Sequence, residues 1–169
     1  MVTKAKLIRT LTHLWFPDWR LRRRLPRSAL RAIQKAIRSS EGRHRGEIRF
    51  AVEASLPLGL LRRGQTAAGR ALDLFSLLRV WDTEENNGVL MYLLLADRDV
   101  EIVADRGIHR LVGAEHWESI CLQMESDFRE GRFEAGCLHG IAAIGAELER
   151  HFPGHDASGN ELPDRPVVV

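Results

Sequence analysis

Apolar positions along the chain follow two periods, and the change from one to the other marks out the elements. Leu30, Ile33 and Ile37 form a stripe behind the entry signals Pro26 and Ser28, with Arg27, Arg31, Lys35 and Arg38 opposite. That spacing predicts a helix ending near Gly42. Ile48, Phe50, Val52 and Ala54 then alternate with Arg49 and Glu53, so residues 47–55 read as a strand. After a loop with Pro57, Gly59 and Gly64, Ala67, Ala71, Leu74, Leu78 and Trp81 define a second helix over 65–81. Its broad apolar surface implies packing on more than one side. The run Val89 to Ala96 is apolar throughout, which marks a strand buried on both faces. Asp97 and Arg98 turn the chain, and Val100 to Asp105 returns as a third strand.

The last third is helical. Trp117, Ile120, Cys121, Met124 and Phe128 form one stripe, Gly131 breaks it, and Phe133, Cys137, Ile141, Ile144 and Leu148 form the next. Gly136 and Gly140 lie four apart in that last helix, which suits close approach of a neighbouring element. Gly107 and Gly113 bracket a short connection, and residues 153–169 form an aperiodic, flexible tail. A middle strand apolar on both faces needs a helical layer on each side. The expected fold is α/β: a three-layer α/β/α sandwich around a small mixed sheet, with residues 47–55 and 88–96 parallel and the third strand antiparallel. The domain occupies 26–152, after a basic N-terminal helical arm over 1–25.

Charge sharpens the picture of the arm. Of 25 Lys and Arg, residues 1–50 hold 14, against only Asp18, Glu41 and Glu47, a balance of +11; the other 119 residues carry −9. Leu7, Ile8, Leu11, Leu14, Trp15 and Trp19 recur at helical spacing beside Lys4, Lys6 and Arg9. A basic amphipathic segment with aromatics suits a membrane interface. The other reading, and the favoured one for Trp15, Phe16 and Trp19, is packing onto the domain. Arg22, Arg23 and Arg24 continue the positive run. A nucleic-acid role ranks last, because no stacking platform or recognition motif accompanies the charge.

Composition removes several classes. The chain has 169 residues, 44% hydrophobic and 28% charged, as in one ordinary globular domain. No apolar run reaches the ~18 residues of a membrane span, and no secretory signal is recognisable, so the expected location is cytoplasmic or peripheral at the inner membrane surface. Cys121 and Cys137 are too few for a disulfide framework and fall on apolar stripes, so both read as buried thiols. The seven histidines show no zinc-protease spacing, and no phosphate loop or nucleophile elbow occurs.

One acidic grouping follows from the topology. Asp105, at the end of the third strand, returns to the point where the second begins, and the loop entering that point carries Asp82, Glu84 and Glu85 before Asn86 and Asn87. Asp82, Glu85 and Asp105 are therefore the candidate ligands for calcium or magnesium, both of which take hard oxygens. No EF-hand spacing accompanies them, and solvated loop acids are the competing reading. Asp97, Asp99 and Glu53 gather toward the opposite end of the sheet.

Trp81, Asn87-Gly88-Val89-Leu90, Asp97-Arg98 and Gly107, followed by Phe128-Arg129-Glu130-Gly131-Arg132-Phe133, Gly136 and Gly140, occur in an order that resembles the TPM domain family. With the helix and strand upstream, the likeness covers roughly residues 28–150. It implies an α/β/α sandwich, and it brings in a family with envelope-facing members, some associated with acid phosphatase activity and calcium binding. An accessory role beside an envelope-linked protein partner is also implied. Three departures are expected: neither a signal peptide nor a membrane tail is recognisable, an Arg-rich arm replaces the usual acidic lead-in, and Asp105-Arg106-Gly107 stands where the family has G-x-G. The leading expectation is a non-catalytic module that meets a protein partner or an anionic membrane surface through its arm. A metal-assisted phosphatase is the alternative.

Overall fold

The apolar run after Asn87 lies in the middle of a four-stranded sheet. The structure, a computed structural model, describes residues 4–154 and 159–169. The strands β1 (Glu47–Glu53), β2 (Gly88–Leu94), β3 (Asp99–Ala104) and β4 (Val167–Val168) are ordered β3-β2-β1-β4. β1 and β2 are parallel in the register Ile48 to Val89, and β3 runs antiparallel to β2 with Met91 opposite Ile102. Every residue of β1 and β2 is buried.

Alternation along β2 divides the core in two. Val89, Met91 and Leu93 face a cluster built with Ile33, Ile37, Trp117, Met124, Phe128, Ile141 and Ile144. Those residues come from α3 (Arg27–Glu41), α7 (Ala114–Arg129) and α8 (Phe133–His151). Leu90, Tyr92 and Leu94 face Ala67, Ala71 and Leu74 of α5 (Ala67–Leu77). The expected three layers are present. Each fully buried Leu, Ile or Phe contributes about 1.5–3 kcal/mol, so this double burial pins the register of β2. Gly136 and Gly140 sit where α8 crosses α7: a Cβ on Gly136 would lie 2.7 Å from Phe128 Cε1, and one on Gly140 would meet Met124 Sδ.

Several short elements depart from the sequence reading. The connection after β3 is a helix, α6 (Arg106–Val112), capped by Asp105. A five-residue helix, α4 (Leu58–Arg62), occupies the loop after β1. In the tail, Val167 and Val168 pair parallel with Ala51 and Val52 because the outer edge of β1 is open there, and Leu162 is buried under the α5 side. α5 packs on one face only. Leu72 and Leu77 are exposed, and Trp81 lies beyond the helix and is half exposed, since the chain leaves the helix through Arg79 at φ 55°.

The arm is two helices, α1 (Lys4–Leu14) and α2 (Asp18–Arg24), separated at Pro17. Phe16, Leu21 and Leu25 enter the main core. The packing reading therefore holds for Phe16, but Trp15 and Trp19 point outward. No described helix is long and apolar enough to cross a membrane.

Candidate functional site

Two places carry chemistry: the acidic end of the sheet and the arm. At the first, the chain after β3 folds against the loop before β2. The Asp105 amide donates to Gly88 O at 2.8 Å and the Ile108 amide to Asn86 O at 3.3 Å. Gly107 lies against this loop so closely that a Cβ there would stand 2.9 Å from Glu85 O and collide with Asn86 O. Asp105 Oδ1 accepts the Arg106 amide at 2.6 Å, while Oδ2 is buried with no hydrogen-bond partner among the described residues. The neighbouring Asn87 donates through Nδ2 to Arg45 O at 2.9 Å, and its Oδ1 is likewise buried and unpartnered.

The other two acids of the expected trio are engaged elsewhere. Glu85 makes a two-point ion pair with Arg45, at 2.7 and 3.1 Å. Asp82 is half exposed and 3.6 Å from Arg79 Nε. Among the described residues no group of three or more His, Cys, Asp or Glu is arranged to hold a metal ion. Asp105 Oδ2 and Asn87 Oδ1 are hard oxygens of the type taken by the calcium that the resemblance implies, but two donors fall well short of its about six to eight. Arg45 escaped the sequence reading because it lies forty residues from Glu85, and Asn87 was named in the loop with the acids but not among the candidate ligands.

The acids at the opposite end hold the fold together. Asp97 accepts from Arg9 at 2.8 and 3.0 Å and lies 2.9 Å from His13 Nε2. Burial works to raise its pKa, but the hydrogen bonds from His13 and Arg9 prevail and hold the carboxyl below its ordinary range. Glu53 takes Arg70 at 2.9 Å and the Tyr92 hydroxyl at 2.8 Å. Neither cysteine has the character of a nucleophile, because burial pushes the Cys121 thiol up to about 12 and the Cys137 thiol upward as well.

With α1 fastened along Arg9, His13 and Phe16, its other side faces outward. Leu7, Ile8, Leu11, Leu14 and Trp15 are all exposed, Leu11 at 47% and Trp15 at 78%, and Trp19 of α2 continues the stripe. Lys6, Arg20, Arg22 and Arg23 stand on the same two helices.

The TPM domain family model matches residues 23–147, from the end of α2 to near the end of α8. The chain belongs to the TPM domain family. The NMR structure of the BA42 protein from the psychrophilic bacterium Bizionia argentinensis is 30% identical, with a TM-score of 0.73 over 84% of this chain and 93% of that one. The solution structure of the N-terminal domain of a P. gingivalis protein, 19% identical with a TM-score of 0.61 over 77% of this chain and 82% of that one, shares the fold. No curated protein matches in sequence. The acidic junction falls inside the matched TPM segment, whereas α1, with its outward apolar face, precedes it.

Proposed function

We propose that this TPM domain is a membrane-surface module whose N-terminal arm lays its outer face into an anionic lipid interface. The observation that carries the reading is the ordered yet uncovered apolar stripe Leu7, Ile8, Leu11, Leu14 and Trp15, anchored from behind by Arg9, His13 and Phe16. Isolated exposed hydrophobics are common in folded proteins, but a continuous helical stripe with a Trp at its end is an interaction surface. Lys6, Arg20, Arg22 and Arg23 favour an anionic lipid surface over a neutral partner, each basic group near the bilayer adding about 1 kcal/mol. Insertion would bury the stripe in the headgroup region and leave the acidic end of the sheet open to its own ligands.

Deleting residues 1–25 is a poor test, because it also strips Phe16, Leu21 and Leu25 from the core. Vesicle co-sedimentation of the full chain with Leu11→Ser and Trp15→Ala is cleaner. Each change should weaken binding to phosphatidylglycerol vesicles several-fold, while the melting temperature stays close to that of the wild type. Unchanged binding by the doubly substituted chain would remove the reading, and capture of a protein by the stripe in place of lipid would redirect it to an envelope-linked partner.

A second reading, a calcium- or magnesium-assisted phosphatase, is favoured by the unpartnered Asp105 Oδ2. Asp105 and Asn87 would hold the cation, with Glu85 and Asp82 of the preceding loop as the other expected ligands. A bound cation there would polarise a phosphoryl oxygen. Asp105→Asn keeps an oxygen to cap α6 and removes the charge. Loss of both calcium-induced thermal stabilisation and phosphate-ester hydrolysis in that variant would support the reading, and equal behaviour of the two proteins would end it.

A further inference from the structure

Between α2 and the turn from α7 into α8 lies an open recess of about 460 Å³, lined by Trp19, Arg20, Arg23, Arg24, Gly131 and Phe133. The Arg24 guanidinium stacks on the Phe133 ring at 4.7 Å and on Phe16 at 5.1 Å, and Arg20 lies over Phe16 and Trp19. Arg24 Nη1 is buried and donates to none of the described residues. Burial lowers the pKa of Arg24, and the charges acting on it, Arg98 and Arg20, lower it further. Among the described residues no carboxylate pairs with Arg20, Arg23, Arg24 or Arg98.

The neighbouring groups that could have neutralised this charge are occupied. Asp127 and Glu130 are both taken by Arg132, and Asp127 also by His139. The carbonyls of Ser126, Asp127 and Phe128 at the end of α7 accept the amides of Glu130, Arg132 and Gly131. The C-terminal dipole of α2 favours arginines in its last turn, but it supplies no acceptor for Arg24 Nη1. A desolvated donor with no partner costs free energy that a bound anion would offset.

The geometry points to an anion pocket for a phosphomonoester, formed by Arg20, Arg23 and Arg24 against the aromatic wall of Trp19 and Phe133. Several guanidinium forks suit a phosphoryl group, whose three terminal oxygens accept them two at a time. A phosphomonoester carries nearly two negative charges at neutral pH and so matches a tri-arginine pocket better than a carboxylate or a phosphodiester does. Stacking on Phe16 and Phe133 holds Arg24 in place before the ligand arrives. The pocket is built whether or not the outer face of α1 meets lipid, so it goes beyond the membrane reading. The phosphomonoester can come from a lipid headgroup or from a soluble metabolite.

Both sources are tested with the full chain. Glycerol 3-phosphate titrated by NMR should move the Gly131 amide and the Trp19 indole. Arg24→Gln and Arg23→Gln should each weaken that binding about tenfold or more, as loss of a charge-assisted hydrogen bond does, while Lys35→Gln on α3 leaves it unchanged. Arg24→Lys, which keeps the charge and the stack but lacks the fork, should also bind more weakly. If glycerol 3-phosphate fails to bind, or binds equally to wild type and the arginine variants, the pocket is overturned even where the arm still holds vesicles. Vesicles of phosphatidic acid and of phosphatidylglycerol, matched in surface charge, then identify the source. Preference for phosphatidic acid that Arg24→Gln abolishes supports a lipid headgroup; soluble binding without it supports a metabolite.

Discussion

The Leu56 amide fixes the tautomer of His13: it donates to Nδ1 at 2.9 Å, so the ring proton resides on Nε2, 2.9 Å from Asp97 Oδ1. One imidazole thereby joins α1 to the segment after β1 and to the β2–β3 turn. Arg9 completes the attachment through Asp97 and through Gln65 O at 2.8 Å.

Replacing His13 removes an acceptor that Leu56 cannot replace, because the side chain of His13 is wholly buried. His13→Phe keeps the ring volume but strands the Leu56 amide and one side of Asp97. The expected loss is about 1–3 kcal/mol, felt mostly at the arm. Hydrogen exchange at Leu56 should quicken, and trypsin should cut faster at Arg22–Arg24. Unaltered protection of the Leu56 amide would refute the attachment. Acid acts in the same direction. The Asp97 carboxyl titrates below its ordinary value in the fold, so its contribution is complete above about pH 4 and is lost as pH falls through the lowered value.

The contrast between Gly107 and Gly140 can be measured. A Cβ at Gly140 meets sulfur atoms, Met124 Sδ and, at 3.0 Å, Met91 Sδ, which sit on flexible side chains that can shift. A Cβ at Gly107 meets the carbonyls of Glu85 and Asn86, which cannot move without displacing the loop. Gly107→Ala should cost about 1–3 kcal/mol in urea unfolding, with Gly140→Ala well below it. Chemical shifts of Asn87 and Gly88 should move in the first variant and stay put in the second. An equal cost in both would show that the acidic junction is less rigid than its packing indicates.

These glycines also show what could be read from the chain. Gly136 and Gly140 announced a close helix crossing by their spacing, and Val89 to Ala96 announced a doubly covered strand by its unbroken apolar run. Such signals are local and repeat over several residues. β4 could not be read that way: two valines become a strand only because the edge of β1 is vacant beside them. The same holds for the candidate site. Asp105 was visible as an acid at a strand end, but the Arg45–Glu85 pair and the His13–Asp97 bond join residues 40 and 84 apart. The arm was legible as amphipathic; which of its aromatics turned inward depended on where Arg9 and His13 found Asp97.

Burial raises the pKa of Glu41 to about 9 despite the Ile48 amide donating to it at 2.9 Å. Glu47 and Asp164, both buried nearby, push in the same direction as burial, and Asp164 also shares a hydrogen bond with Glu41. Folded Glu41 therefore keeps a proton that the unfolded chain releases above about pH 4.3. The folded state binds more protons between that pH and about 9, so stability falls as pH rises across the window. His44 opposes this at the acid end. Burial lowers its pKa to about 4, so stability falls as pH drops from about 6.5 toward that value. Glu41→Gln retains an acceptor for Ile48 and a donor toward Asp164 without the titrating proton. Its melting temperature should match the wild type near pH 4, exceed it increasingly toward pH 9, and show a flatter alkaline limb. A variant that loses stability in parallel with the wild type above pH 7 would place the alkaline sensitivity on another group.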